Sequence, residues 1–106
     1  MNVQLLAQKT RLFLLDMDGT VYLGRRWIAG AREFLDRVQA TGRQYAFVTN
    51  NSAVARSRVE AKLAGFGIDP QDGVVTSAMA AATLVEPGTT ALLCAGPGMA
   101  DELEAR

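Results

Sequence analysis

Two aspartates that follow an apolar run are the residues of this chain best suited to chemistry. Asp16 and Asp18 lie in the segment Leu12-Phe13-Leu14-Leu15-Asp16-Met17-Asp18-Gly19-Thr20. A short apolar run bounded by turn residues predicts a buried parallel strand, which leads into Asp16 and curls into a loop by Asp18. That strand would bring the carboxylates to the carboxyl edge of a sheet, where open α/β folds bind ligands. Side chains at i and i+2 of a strand point the same way, so the two carboxylates can meet on one ion.

The paired carboxylates predict a magnesium site. Mg²⁺ usually takes one or two protein carboxylates and leaves positions for water and phosphate oxygens. Gly19 would let the backbone approach the ligand and adopt unusual dihedral angles. The alternative is that Asp16 ends the strand and Asp18-Gly19 is only a turn. A calcium loop of the EF-hand type is excluded by spacing, because the glycine comes too early and Trp27 stands where the loop needs glutamate.

Composition narrows the class of protein. The chain has 106 residues, 49% of them apolar, and its 11 basic residues balance its 11 acidic ones. It can therefore bury a core, and neither nucleic acid nor a membrane is expected as a partner. Histidine is absent, which excludes Ser-His-Asp and Cys-His catalysis and histidine zinc sites within these residues. The single cysteine, Cys94, is predicted to be a buried structural thiol. The stretch Met1–Thr10 is too short and polar for a signal peptide, so a cytoplasmic protein is expected.

Strand and helix signals alternate and predict an α/β fold, a Rossmann-like parallel sheet with flanking helices and right-handed crossovers. The first predicted strand is the apolar run that starts at Leu12, and the others are Gln44–Thr49, Val74–Thr76 and Ala91–Ala95. The predicted helices are Ala31–Ala40, Ala53–Ala64 with Ser52 as its cap, Ala78–Val85 with Ser77 as its cap, and Met99–Arg106. The stretch Val21–Gly30 is predicted to be a loop. In the first predicted helix, Phe34, Leu35 and Val38 are expected on one face, and Glu33 and Arg37 at i,i+4 spacing on the other.

A second polar motif follows the second predicted strand, in the order Val48-Thr49-Asn50-Asn51-Ser52. The Thr49 hydroxyl, the Asn50 amide and the backbone N–H groups of a helix start are suited to bind an anion. Taken alone, the motif is equally well a capped turn. If the two strands are neighbours, both motifs lie at the same sheet edge, and together they predict a phosphate site.

Two further motifs are weaker. Gly96-x-Gly98 precedes a helix, but Asp101 replaces the third glycine of a dinucleotide-binding loop, so a plain turn is favoured. The arginine pairs Arg25-Arg26 and Arg56/Arg58 could contact phosphate, although solvated surface arginines are the commoner outcome.

The two polar motifs together resemble the haloacid dehalogenase superfamily of phosphatases. More narrowly, the chain resembles the NagD-like branch of nucleotide, phosphoglycolate, pyridoxal-phosphate and nitrophenyl phosphatases, which carry a large α/β cap. The matching stretches are Leu14-Leu15-Asp16-Met17-Asp18-Gly19-Thr20-Val21-Tyr22-x-Gly24, Val48-Thr49-Asn50-Asn51-Ser52 and Thr76-Ser77-Ala78.

The resemblance implies a role for each site residue. Asp16 would be the nucleophile that takes the phosphoryl group, and Asp18 would protonate the leaving oxygen and then deprotonate water. The Asp16 carboxylate and the Asp18 backbone carbonyl would be Mg²⁺ ligands. The residues implied to hold the phosphate are Gly19, Thr49, Asn50 and Asn51. The implied partner is a small phosphorylated metabolite, and a homodimer through the cap is expected in the full-length protein.

The chain departs from the family pattern in its later motifs. Family members also carry a lysine that bridges phosphate and nucleophile, and a later acidic pair that completes the metal site. Lys9 precedes the first strand and Lys62 lies in a predicted helix, so neither fits that role. We therefore expect residues 1–86 to be the N-terminal part of the catalytic core and residues 87–106 to begin the cap. Such a fragment would have little turnover. Two alternative functions stay open: a non-catalytic phosphate- and metal-binding module, and a phosphotransferase on the same fold.

Overall fold

The computed structural model describes residues 2–51, 54–70 and 73–105. The strands are β1 (Leu12–Leu15), β2 (Tyr22–Leu23), β3 (Arg26–Trp27), β4 (Gln44–Thr49) and β5 (Val74–Thr76). The helices are α1 (Val3–Lys9), α2 (Ala31–Ala40), α3 (Arg56–Gly65), α4 (Ser77–Ala82) and α5 (Pro97–Glu104). None of the helices in these ranges is long and apolar enough to cross a membrane.

A three-stranded parallel sheet forms in the order β1-β4-β5, and β2 and β3 make a separate antiparallel ribbon. Phe47 of β4 lies opposite Val74 of β5, and Val48 lies opposite Val75. The α/β class is confirmed. The first predicted strand is present, and the second and third begin and end at the predicted residues.

The chain divides within β4 into two compact units, Met1–Ala46 and Phe47–Arg106. The buried apolar residues of the first unit are Met17, Val21, Tyr22, Leu35, Val38 and Tyr45. Those of the second unit are Phe47, Val59, Leu63, Ile68, Val74, Ala78 and Ala82. In the second unit both α3 and α4 contact β5. This division does not test the predicted boundary between core and cap after residue 86, which stays a prediction.

Burial alternates along the strands instead of being continuous. Phe47 is 0% exposed and its neighbour Val48 is 42% exposed, while Val74 is 2% and Val75 44% exposed. Leu12 and Leu14 of β1 are likewise exposed. Successive side chains of a strand point to opposite faces, and a strand is apolar throughout only where both faces are covered. The prediction of fully buried strands is therefore wrong, because the described residues leave one face of each strand open.

The helices differ from prediction at their starts and, in α4, at the end, which is Ala82 instead of Val85. In α2, Leu35 and Val38 are buried as expected, but Phe34 is 38% exposed, and Glu33 and Arg37 form no ion pair within the described part of the chain. The next helix begins at Arg56 instead of Ala53, with Ala55 as its N-cap; its first turn carries an ion pair from Arg56 to Glu60 at 3.3 Å. The predicted cap Ser52 lies outside the described residues.

The cap of α4 is also displaced by one residue from its predicted position. The Thr76 hydroxyl, not that of Ser77, accepts the Met79 N–H at 3.1 Å. Thr76 still has the extended backbone of the strand that precedes it, which is the geometry of an N-cap. Ser77 is thereby the first residue inside the helix.

The predicted fourth strand, Ala91–Ala95, is wrong. Residues 91–95 have no regular structure, and the Cys94 side chain is exposed, so the buried structural thiol is wrong as well. A strand needs a neighbouring strand to take up its backbone hydrogen bonds, and a local apolar pattern carries no information about such a neighbour. Residues 91–95 belong to no sheet in the described part of the chain.

Two elements lie where none was predicted. The helix α1 is capped by Asn2, whose side chain accepts the Leu5 N–H at 3.2 Å, and none of its residues is buried. The ribbon of β2 and β3 occupies the stretch predicted to be a loop, with Tyr22 paired to Trp27 and Leu23 to Arg26.

The one-sided cover of β4 gives a direct test of stability. Phe47→Ala should lower the free energy of unfolding by about 3–5 kcal/mol, because it empties a fully buried position. Val48→Ala, one residue further along the same strand, should cost less than about 1 kcal/mol, because that side chain is already partly in water. Urea denaturation followed by circular dichroism measures both. Equal losses for the two variants would show that the second face is covered.

Candidate functional site

The two aspartates lie on a tight loop between β1 and β2. The Met17 carbonyl oxygen accepts the Thr20 N–H at 3.1 Å and the Val21 N–H at 2.9 Å. The Gly19 N–H donates to the backbone carbonyl oxygen of Tyr22 at 2.8 Å. Gly19 has a φ of 79°. That left-handed conformation is strained for any residue with a Cβ, although a Cβ would meet nothing within 4 Å there. The glycine is thus required for its dihedral angles, not for space.

The burial of Met17 sets the direction of both aspartates. Met17 is 3% exposed, whereas Asp16 and Asp18 on either side of it are exposed. Since the chain is extended as it leaves β1, turning the middle side chain into the core turns its two neighbours outward. The predicted common direction of the carboxylates therefore has a packing cause.

The Asp16 carboxylate is held in one orientation. Its Oδ1 accepts the backbone N–H of Met17 at 2.8 Å. Within residues 2–51, 54–70 and 73–105, no other donor is bonded to this side chain, so Oδ2 is available to a ligand. One fixed oxygen and one available oxygen are what a nucleophilic or metal-binding carboxylate needs.

The buried phenol of Tyr22 lies in the field of both carboxylates. Its side chain is 2% exposed, and burial raises the pKa of the phenol above its usual value. The negative charge of Asp18 raises the Tyr22 pKa further, and that of Asp16 contributes as well. Tyr22 was part of the matching motif but was given no role from the sequence.

The aspartate pair fits a magnesium ion by its chemistry. Mg²⁺ takes oxygen ligands, commonly one or two carboxylates, and fills its other positions with water and phosphate oxygens. No group of three or more acidic, cysteine or histidine residues suited to a metal is found in the described part of the chain. Among the described residues, the loop offers the carboxylates of Asp16 and Asp18 to a metal ion.

The second predicted group of site residues lies in the second unit, at the end of β4. The Thr49 hydroxyl accepts the Asn51 N–H at 3.2 Å, so the three residues from Thr49 to Asn51 form one compact turn. A hydroxyl that accepts this bond still has its own proton to donate, and that proton has no acceptor within the residues described. The turn is separated from the first residue of α3 by residues 52–55, so the predicted direct junction with a helix start is wrong.

Ser77 is a residue whose role in this turn the sequence did not reveal. Its hydroxyl donates to the Asn50 carbonyl oxygen at 3.1 Å, across 27 residues of sequence. The hydrogen bond ties the turn after β4 to the start of α4, which follows β5. The signal was present in the matching Thr76-Ser77-Ala78 stretch, but only the register of β4 and β5 shows what it contacts.

Residues 13–106 match the family model described as haloacid dehalogenase-like hydrolase. The match covers most of the chain, which therefore belongs to the haloacid dehalogenase-like hydrolases. Within that family it falls in the branch of NagD and the nitrophenyl phosphatases. The resemblance read from the sequence is confirmed.

Three similar proteins illustrate this membership. An acid sugar phosphatase of Staphylococcus aureus is 37% identical over 93 residues, which are 84% of this chain and 36% of the relative. The structure of a 4-nitrophenylphosphatase of Thermotoga maritima is 36% identical with a TM-score of 0.79, covering 90% of this chain and 38% of that one. A glycerol phosphate phosphatase of Mycobacterium tuberculosis, solved in complex with calcium, is 36% identical with a TM-score of 0.80 and coverage of 93% and 29%. The chain spans little more than a third of the curated relative's length.

The raised pKa of Tyr22 predicts a loss of stability in alkali. The folded chain keeps the phenol proton to a higher pH than the unfolded chain, whose tyrosines ionise near about pH 10. The stabilisation is complete below that value and is lost as the pH rises through the higher pKa of the folded chain. Urea titrations in metal-free buffer between about pH 8 and pH 11 should show a steeper fall for the wild type than for Tyr22→Phe. Parallel curves would mean that Tyr22 does not have the pKa described.

The Ser77 hydrogen bond predicts a modest stability effect. Ser77→Ala should lower the free energy of unfolding by about 0.5–1.5 kcal/mol, because the Asn50 carbonyl loses its donor. Ser57→Ala is the matched control, since Ser57 is exposed within α3, where alanine is the better helix former. Amide chemical shifts of residues 49–51 should move in the first variant and not in the second. Unchanged shifts in Ser77→Ala would contradict the coupling.

Proposed function

We propose that the whole protein to which this chain belongs is a Mg²⁺-dependent phosphomonoester hydrolase that acts through an aspartyl-phosphate on Asp16. The observation that carries the proposal is the pair of exposed carboxylates on either side of buried Met17, in a chain of the haloacid dehalogenase-like hydrolases. The relatives' names support phosphate esters of small metabolites as the substrate class, including sugar phosphates and glycerol phosphate.

The chain's own residues account for two displacements at phosphorus. In the first, Asp16 Oδ2 forms a bond to phosphorus while the bond from phosphorus to the ester oxygen breaks, and Asp18 gives that oxygen a proton. In the second, Asp18 takes a proton from water, whose oxygen attacks phosphorus and releases Asp16. The hydrogen bond from Met17 N–H to Oδ1 keeps Oδ2 oriented in both steps.

The proposed metal ligands are the Asp16 carboxylate and Asp18. When bound there, Mg²⁺ would neutralise charge on the phosphate that otherwise repels the carboxylate nucleophile. The calcium complex of the Mycobacterium tuberculosis relative supports a divalent cation in this family.

The phosphate contacts are assigned to Thr49, Asn50 and Asn51, with Gly19 shaping the aspartate loop. The Thr49 proton and the Asn50 side-chain amide supply hydrogen-bond donors, and a phosphate oxygen is a strong acceptor. The Gly19 N–H is already hydrogen-bonded to the backbone carbonyl oxygen of Tyr22. The proposed contribution of Gly19 is therefore its left-handed backbone conformation. That the two turns act on one phosphate is part of this proposal.

Metal binding can be tested on the chain by itself. Titration with Mg²⁺ should move the amide resonances of residues 16–19, and Asp16→Asn should weaken Mg²⁺ binding about tenfold or more, because a neutral amide replaces a charged ligand. Asp36→Asn is the matched control, an exposed aspartate on α2. The proposal fails if Mg²⁺ leaves residues 16–19 unmoved, or if the two variants bind alike.

Turnover tests the catalytic roles. The 106-residue chain is expected to hydrolyse 4-nitrophenyl phosphate little or not at all, because the family lysine and later acidic pair are not among its residues. In a longer form that includes the rest of the relatives' length, Asp16→Asn should lower kcat at least about a thousandfold. Phosphate transfer to a sugar in preference to water would identify a phosphotransferase. Phosphate and Mg²⁺ binding without turnover in the longer form would identify a non-catalytic module.

A further inference from the structure

A cavity of the first unit lies away from the aspartate loop. It has a volume of about 370 Å³, is open to solvent, and is bordered by α1, α2, β1 and the residues that lead into β4. No residue from Asp16 to Tyr22 lines it. Its size is within the range of pockets that hold small organic ligands.

Two arginines give this cavity its charge. Arg37 comes from α2 and Arg43 from the segment before β4, and no acidic residue is part of the lining. The Arg43 Nη1 donates to the Ala7 carbonyl oxygen, which leaves most of the five N–H donors of that guanidinium unused. Neither arginine forms an ion pair with any residue in the described ranges. Two positive charges therefore border one cavity without a negative partner.

The floor of the cavity is aromatic. The rings of Phe13 and Phe34 meet edge to face, with centroids 5.1 Å apart and planes at 88°. In this arrangement one ring offers its face and the other its edge, and an aromatic ligand can pack against either. Gln4 and Gln8 of α1 add amide groups to the lining.

We propose that this cavity binds a small organic anion with a planar apolar body, of which an aromatic carboxylate is the simplest form. The carboxylate would lie between the two guanidinium groups, which bind carboxylates with paired hydrogen bonds. The ring would lie on the phenylalanine floor. The proposal is independent of the phosphatase function, because it uses none of the residues assigned to that function.

The pattern of α2 brings a charge to the lining of the cavity. Phe34, Arg37, Val38 and Thr41 lie at i, i+3, i+4 and i+7, so they share one face of the helix. All four line the cavity. Arg37 is exposed and lies in the last turn of α2, so its guanidinium is accessible to an anion that enters the cavity.

The test compares three probes that separate charge from shape. Benzoate has both the ring and the carboxylate, benzamide has the ring without the charge, and acetate has the charge without the ring. Benzoate should bind the 106-residue chain in the millimolar range and shift the ring resonances of Phe13 and Phe34. We expect benzoate to bind about tenfold more tightly than either other probe, as one charge-assisted interaction supplies.

Variants locate the site. Arg37→Gln should weaken benzoate binding about tenfold, because it removes one of the two charges from an exposed position without disturbing the core. Arg58→Gln, an exposed arginine of α3, and Asp16→Asn should leave benzoate binding unchanged. The circular dichroism spectrum of each variant checks that it is folded. The inference is overturned if benzoate does not bind, if benzamide binds equally well, or if Arg37→Gln and Arg58→Gln behave alike.

Discussion

The proposed chemistry depends on the alternation of side-chain directions at Met17 and at the aspartates on either side of it. A residue that enters the core from extended chain sends its neighbours to the other side. Met17 is 3% exposed, and burying a methionine side chain contributes about 1.5–3 kcal/mol. The outward direction of Asp16 and Asp18 is thus stabilised by a hydrophobic contact that involves neither of them. Asp16 keeps its Oδ2 available beside the one hydrogen bond that its Oδ1 accepts from the Met17 N–H.

Electrostatics sets the condition under which those groups can coexist. Two like charges about 4 Å apart repel by about 1 kcal/mol in bulk water and by about 4 kcal/mol near a protein surface. Both aspartates are exposed, so water limits their repulsion to the lower part of that range. Burial raises the pKa of the Tyr22 phenol beside them, and the same negative field raises that pKa further. A site that is negative and partly wet when empty is well suited to a strongly hydrated divalent cation.

The sequence was sufficient where local pattern decides the structure. Apolar runs located β1, β4 and β5, and the polar residues after β1 and β4 identified the two turns, because strands and turns have residue preferences that operate over a few positions. The wrong predictions concern elements whose structure depends on residues far away in the sequence. Residues 91–95 have the pattern of a strand but pair with nothing in the described part of the chain, and the ribbon of β2 and β3 consists of two residue pairs, too few to show alternation. The link from Ser77 to Asn50 spans 27 residues and depends on strand register, which no local pattern encodes.

The open faces of the strands have a thermodynamic consequence. Leu12, Leu14, Val48 and Val75 are already hydrated in the native state, and exposing them again on unfolding changes little. The heat capacity of unfolding comes mostly from apolar surface that is newly wetted. This chain should therefore have a smaller heat-capacity increment than a fully covered α/β domain of equal length. Its stability curve would be broad and shallow, with a low maximum and little variation between cold and warm temperatures.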